Sequence, residues 1–102
     1  LPGDSIFLKT RRGEGETGNA YLSLEAAIYL SDSGIKTVGT DGLSIESDSG
    51  GGHIHKFLLS KSIIIIEGLR LEHIAPRDYF FICLPLKIKG CDGAPARALL
   101  FE

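Results

Sequence analysis

The sequence has no methionine and no tryptophan, and it contains few prolines. A primary translation product begins with methionine, so a chain that opens at Leu1 is expected to be processed, cleaved or preceded by further sequence. The first residues do not have the basic segment and the apolar stretch of a signal peptide. They predict instead a turn that leads into a strand.

Cysteine is also scarce, with Cys83 and Cys91 as its two occurrences. Two cysteines supply neither a disulfide framework nor a zinc motif. They flank a predicted turn, so a bridge across a hairpin is conceivable. Two free thiols in a reducing compartment are the favoured interpretation, and this points to the cytoplasm.

Neither sign of charge dominates, because 11 Lys and Arg residues face 13 Asp and Glu residues and the net charge is −2. The basic residues form no stripe, which argues against nucleic-acid and anionic-membrane partners. Apolar runs such as Ile63 to Ile66 are far too short to span a bilayer. The apolar fraction of 43% and the charged fraction of 24% are ordinary for one globular domain.

The order of predicted elements is typical of an α/β protein with a parallel sheet. Buried strands are predicted over 5–10, 35–40 and 63–66, helices after the Ser23 cap and over 53–60, one or two helical turns over 69–74, and two further strands over 79–88 and 96–101. The four consecutive isoleucines predict a strand that is covered on both faces. The charged, glycine-rich stretch from Arg11 to Ala20 predicts a mobile loop.

Acidic side chains follow two of the predicted parallel strands, at the sheet edge where sites gather in α/β folds. Asp41 follows the second strand, where it would form a turn or line a site. Glu67 follows the four isoleucines, where a carboxylate is costly unless it meets a cation, a donor or water. A strand-end glutamate more often just reaches solvent, and this alternative stays open.

His55 favours a functional role for Glu67, because it lies twelve residues earlier at the start of a predicted helix. A short helix with a tight return brings its ring back to the same end of the sheet. Histidine with glutamate is part of a zinc or manganese shell, although catalytic metals usually have three protein ligands. His53 and His55 would share a face in a strand, but on a helix they point about 200° apart. The run Gly50-Gly51-Gly52 is not a phosphate loop, because it has no Gly-Lys-Ser/Thr ending and no preceding strand.

Five segments form a recognisable series. They are Leu1-Pro2-Gly3-Asp4 with the strand to Thr10, Leu22-Ser23-Leu24-Glu25-Ala26-Ala27, the strand from Gly34 to Asp41, the stretch with His55 and Glu67 twelve apart, and the closing stretch from Leu84 to Ala98. Together they resemble the C-terminal half of the kynurenine formamidase-like, or cyclase-like, family of metal-dependent hydrolases. The last two segments are the most specific.

The resemblance implies a swivelling β/β/α-type domain with a mixed sheet, of which residues 1–102 are a single domain or the C-terminal part. It also implies hydrolysis of amide or lactam C–N bonds, as in N-formylkynurenine and isatin, with a divalent metal, zinc in preference to manganese. The residues aligned with His55 and Glu67 are metal ligands there, and Asp41 and Thr10 would line the site.

Most of the family's other ligands lie in a first-half motif, His-x-Gly-Thr-His-x-Asp-x-Pro, followed by a catalytic histidine. The 102 residues do not contain this motif, so the resemblance places no catalytic residue among them. Two hypotheses follow. The chain is part of an enzyme that takes a small amide substrate and assembles as a homo-oligomer or with its N-terminal half, or it is a truncated, non-catalytic binding module.

The predicted reducing environment can be tested directly. Cys83 and Cys91 should both remain as thiols, because Cys83 lies within an apolar strand and nothing else indicates an oxidising compartment. Thiol counting under non-reducing, denaturing conditions should give two free groups per chain. A count of zero would contradict the prediction.

Overall fold

The computed structural model describes residues 2–10 and 20–102, so the loop predicted from Arg11 to Ala20 lies outside the described residues except at its last position. The elements are β1 (Ser5–Leu8), α1 (Leu24–Asp32), β2 (Thr37–Thr40), α2 (His53–Ser60), β3 (Ile64–Ile66), β4 (Phe80–Pro85) and β5 (Ala96–Phe101), with a short 3-10 turn at Asp48–Gly50. This order confirms the α/β class.

The first three strands form a parallel sheet in the order β1-β2-β3. β2 lies in the middle, pairs in register with β1 and β3, and has all four of its residues buried. Both helices cover this sheet, and the core consists of side chains from both helices, β2 and the adjoining loops: Ala27, Leu30, Ile35, Val38, Ile45, Ile54, Leu58 and Ile63. The parallel sheet therefore organises the chain up to β3.

Helix α1 begins where the sequence predicts it. The Ser23 hydroxyl accepts a hydrogen bond from the Ala26 N–H at 3.1 Å, and Gly34 follows the helix with a positive φ of 79°. Ala27 and Leu30 are buried, whereas Leu24 and Ile28 are 49% and 40% exposed. The apolar face of the helix is thus wider than the surface that the described residues cover.

The isoleucine strand differs from its prediction. Within the described residues β3 pairs only with β2, so it is an edge strand of the sheet. Ile63 is buried, but Ile64 is 52% exposed. The exposure of Ile64 shows that the prediction of cover on both faces is wrong for the described part of the chain, because β-branched composition does not reveal whether other elements pack on both faces of a strand.

The last two strands form a separate antiparallel ribbon, so the parallel and antiparallel pairings occur in two sheets. β4 ends at Pro85, short of the predicted Ile88, because proline has no N–H to continue the ladder. The ribbon meets the parallel sheet at Phe7 and Phe81, whose ring centroids lie 5.0 Å apart. Its exposed apolar side chains are Phe80, Ile82, Leu84, Leu99 and Phe101.

The helical turns predicted over 69–74 are not formed. The Leu69 N–H donates to the Thr40 carbonyl at 3.0 Å, which ties the segment to the end of β2. A single turn then follows, closed by the Ile74 N–H and the Leu71 carbonyl. Leu71 is buried, so packing of an irregular segment replaces the helix here.

Two further expectations concern composition. Over the described ranges no helix has the length and apolar character needed to cross a bilayer. Cys83 lies half-buried in β4 opposite Ala98, and Cys91 is exposed in the connection to β5. Both are free in the structure, as expected of two separate thiols.

Gly39 in β2 provides a test of this packing. A Cβ at this position would lie 2.8 Å from both Leu69 Cδ1 and Phe7 Cδ1, so both side chains would have to move. The Gly39→Ala variant should therefore lose about 1–3 kcal/mol of unfolding free energy in chemical denaturation.

The matched control is Gly93→Ala, where a Cβ would meet nothing within 4 Å. Its unfolding free energy should change by less than about 0.5 kcal/mol. Equal stability of the two variants would show that the space around Gly39 is not as tightly filled as described.

Candidate functional site

The carboxyl ends of β2 and β3 are joined by backbone hydrogen bonds. The Gly68 N–H donates to the Gly42 carbonyl at 2.8 Å, next to the bond between Leu69 and Thr40. The loop after β2 then turns back over this end, and the Ile45 N–H donates to Glu67 Oε2 at 2.8 Å. Glu67 is therefore held by the loop and does not simply extend into solvent.

His55 lies in the first turn of α2, with one carboxylate on each side of its ring. Nε2 is 2.8 Å from Glu67 Oε2, and Nδ1 is 2.5 Å from Glu46 Oε1. The side chains of His55 and Glu67 are 33% and 31% exposed, whereas that of Glu46 is only 5% exposed. The structure thus brings together His55 and Glu67, and it adds a third residue that the sequence analysis did not single out.

The sequence does not single out Glu46, because this residue opens a polar loop in which no motif with a characteristic residue spacing can be recognised. The run Gly50-Gly51-Gly52 is the sequence feature that points to a buried anion nearby, since glycine runs let backbone N–H groups turn towards an anion. The anion here is a side-chain carboxylate. Glu46 accepts hydrogen bonds from the N–H groups of Gly52 and His55 at 3.0 and 2.9 Å.

These contacts set the charge state of the cluster. The His55 backbone N–H lowers the pKa of Glu46 and outweighs burial, which raises it; the His55 ring lowers it further. For His55, burial lowers the pKa, but the hydrogen bonds and charges of Glu46 and Glu67 together raise it above its ordinary value. Only a doubly protonated ring can donate to both carboxylates at once.

Asp41 and Thr10 form a second pair, at the ends of β2 and β1. The Thr10 N–H donates to Asp41 Oδ2 at 2.9 Å, and the Thr10 hydroxyl to Oδ1 at 2.5 Å. Asp41 is 4% exposed. The contacts of this pair hold the two strand ends together. That Asp41 and Thr10 line a functional site stays a prediction.

The donor set at His55 and Glu67 fits a divalent metal ion. An imidazole nitrogen and a carboxylate oxygen suit a borderline ion such as zinc. Ligand atoms of one tetrahedral metal lie roughly 3.3 Å apart, so Nε2 and Oε2 need only a small movement from their separation of 2.8 Å. Among residues 2–10 and 20–102, however, no three acidic, histidine or cysteine side chains form a group that could hold a metal alone.

Comparison with known proteins finds relatives that are named as kynurenine formamidases or as cyclase-like proteins. The chain is 46% identical over 72 residues to a kynurenine formamidase from Salinibacter ruber, covering 70% of this chain and 34% of that protein. It is 39% identical over 91 residues to cyclase-like protein 3 from Oryza sativa, covering 87% of this chain and 34% of the relative. No family model matches the sequence.

A solved structure described as a potential metal-dependent hydrolase with cyclase activity matches with a TM-score of 0.73 and 48% identity. The match covers 78% of this chain and 40% of that structure. The chain thus spans about a third of the length of the two curated relatives. These matches confirm both the predicted α/β fold and the family resemblance that five sequence segments indicate.

The position of His55 between two carboxylates leads to a pH prediction. In metal-free protein, NMR titration of the His55 ring should have its midpoint above 6.5, the ordinary value, because protonation lets the ring donate to both acids. Because folding favours the protonated ring, its contribution to stability is fully present below pH 6.5 and is lost as the pH rises through the folded-state pKa.

Glu67→Gln should lower that midpoint, because it removes one neighbouring negative charge. Glu25→Gln, an exposed substitution on α1, is the control and should leave the midpoint unchanged. A midpoint at or below 6.5 in the parent protein would contradict the geometry described.

Proposed function

Since these residues belong to the family of the kynurenine formamidases and cyclase-like proteins, we propose that the protein is a metal-dependent hydrolase of amide or lactam C–N bonds. The observation that carries the proposal is the pairing of His55 Nε2 with Glu67 Oε2 across 2.8 Å, at the end of the parallel sheet. Both side chains are partly exposed, so a metal and a substrate can reach them.

The proposed substrate is a small N-formyl aryl amide of the N-formylkynurenine type, or a related lactam. The name of the Salinibacter ruber relative supports this substrate class. We propose zinc over manganese as the metal, because an imidazole nitrogen beside a carboxylate suits zinc well. When bound, such an ion lowers the pKa of water and polarises the scissile carbonyl.

The residues of this chain would supply part of that site. His55 and Glu67 hold the metal, while Asp41 and Thr10 fix the adjoining strand ends near it. No catalytic proton acceptor is assigned among the described residues. We therefore propose that residues 1–102 are the C-terminal part of a larger domain, and that an N-terminal half provides the other ligands and the base.

The proposed setting is a cytoplasmic homo-oligomer or a complex with that N-terminal half. The free thiols of Cys83 and Cys91 support a reducing compartment. The second candidate function is a non-catalytic binding module that keeps the fold. It is favoured by one observation, the lack of a three-residue metal-binding group within residues 2–10 and 20–102.

Activity separates the two candidates. The protein as encoded, with any sequence that flanks these residues, should hydrolyse an N-formyl aryl amide and should lose that activity to a chelator. Residues 1–102 alone should be inactive, because two candidate ligands fall short of the three that catalysis usually needs. Chelator-sensitive hydrolysis by the isolated segment would contradict the proposal that an N-terminal half supplies the other ligands and the base. An encoded protein without activity would favour the non-catalytic binding module.

Metal titration of the encoded protein tests the site residues. His55→Ala should weaken zinc binding by at least about 100-fold, since even removal of residues behind the ligands costs 10–100-fold. Asp41→Asn should bind zinc with affinity close to the parent, because Asn can keep the contacts to Thr10.

The matched control is His73→Ala, which removes an exposed histidine outside the cluster. It should bind zinc as the parent does. Complete loss of binding in Asp41→Asn, with the fold intact by circular dichroism, would make Asp41 a ligand instead of a structural residue.

A further inference from the structure

We infer that Glu46 is a positioning residue that fixes the tautomer and the ring orientation of His55, and so directs Nε2 towards Glu67. The inference concerns the geometry of His55 in the metal-free protein, and it rests on the proposed function only for its consequence in metal binding. Glu46 lies in the loop between β2 and α2, and its side chain is almost fully buried.

Backbone groups hold the Glu46 carboxylate independently of the His55 ring. Helix α2 has Gly52 as its N-cap, and glycine has no side chain to accept the free N–H groups of the first turn. The Glu46 carboxylate takes that place. Oε2 accepts from the Gly52 N–H and Oε1 from the His55 N–H. The negative charge also lies at the positive end of the helix dipole.

Gly50 leaves the room that this carboxylate occupies. A Cβ on Gly50 would overlap Glu46 Oε2, although the Gly50 backbone does not have the positive φ of Gly51 and Gly52. Space, and not backbone conformation, therefore requires glycine at this position. The loop can accommodate the carboxylate in the helix-capping position only while position 50 has no side chain.

The fixed carboxylate then decides which ring nitrogen of His55 carries the proton. Each ring nitrogen has a carboxylate acceptor, but Glu46 Oε1 is closer to Nδ1, at 2.5 Å, than Glu67 Oε2 is to Nε2, at 2.8 Å. Glu46 is also buried and fixed by two backbone N–H groups, whereas Glu67 is partly exposed, so the neutral ring keeps its proton on Nδ1 and leaves Nε2 on the side of Glu67. A histidine that binds a metal through Nε2 needs this tautomer, and a carboxylate behind the ring commonly sets it. Glu46 acts through His55 and does not itself contact a metal or a substrate.

The first measurement needs no substitution and no metal. In the encoded protein, ring ¹⁵N shifts at a pH well above the His55 midpoint should show a protonated Nδ1 and an unprotonated Nε2. An Nε2–H ring would overturn the inference. Glu46→Gln and Gly50→Ala should each convert His55 to a mixture of tautomers, the first by removing the charge and the second by displacing the carboxylate.

Zinc affinity, measured by competition with a chromophoric chelator, gives the second readout. Both variants should bind about 10–100-fold more weakly than the parent. Ser49→Ala is the control from the same loop; it removes an exposed hydroxyl whose bond is to Ser47 and should change neither readout. If one variant fails to fold, the other still tests the inference.

The outcomes separate this inference from the proposed function. If Glu46 only caps the helix, Glu46→Gln and Gly50→Ala should both be less stable than the parent, while the His55 tautomer and the zinc affinity of the folded fraction stay unchanged. That result would overturn the inference. An Nδ1–H tautomer that both variants disrupt supports the inference even if the parent binds no zinc; in that case the proposed metal site is what fails.

Discussion

The structure depends on β2, a four-residue strand whose residues are all buried and which is paired on both sides. Its central position fixes where β1 and β3 end, and both helices pack on the sheet that it holds together. Gly39 allows Phe7 and Leu69 to come close to the backbone of this strand. The segment that follows β2 then carries Asp41, Ile45 and Glu46 across the ends of its neighbours, so the candidate site is an extension of the strand that anchors the core.

The site is built from charges whose desolvation is compensated locally. Burying Glu46 would be costly without donors, and the start of α2 supplies two backbone N–H groups and a ring nitrogen. Glu67 remains partly exposed and receives one backbone N–H from Ile45. The two acids on either side of His55 thus have different environments: one is held rigidly by the backbone, and the other keeps access to solvent and to a ligand.

Sequence patterns predicted those parts of the structure that depend on local chemistry. The Ser23 cap, the helix over 53–60 and the convergence of His55 with Glu67 follow from capping, periodicity and the position of strand ends. Glu46 could not be predicted in the same way, because its partners are backbone groups that a glycine turn brings together only in the folded chain.

The remaining errors also concern non-local contacts. The exposure of Ile64 depends on what packs on its face of the sheet, and four consecutive isoleucines do not reveal whether both faces are covered. The segment over 69–74 contains residues that can form a helix, but its first residue, Leu69, is bound to Thr40, 29 residues earlier, and Leu71 is buried. Tertiary contacts of this kind, which local propensity does not reveal, accompany the irregular conformation of the segment.

The ribbon of β4 and β5 has a consequence for the behaviour of these residues in solution. Within the described chain it is a two-stranded unit with two unpaired backbone edges and side chains rich in Phe, Leu and Ile. Such edges are templates for further strand addition, and charge or proline normally blunts them. Arg97 and Pro85 are the residues of that kind in the two strands, and both lie at the end of the ribbon near the connection. At the opposite end an Arg77–Glu102 ion pair lies beside the strands, but the residues of the strands themselves, such as Phe80 to Ile82, include no charge and no proline. That stretch is therefore the part of the ribbon most open to intermolecular β-pairing, and the segment should aggregate with a strong dependence on concentration whenever it is left uncovered.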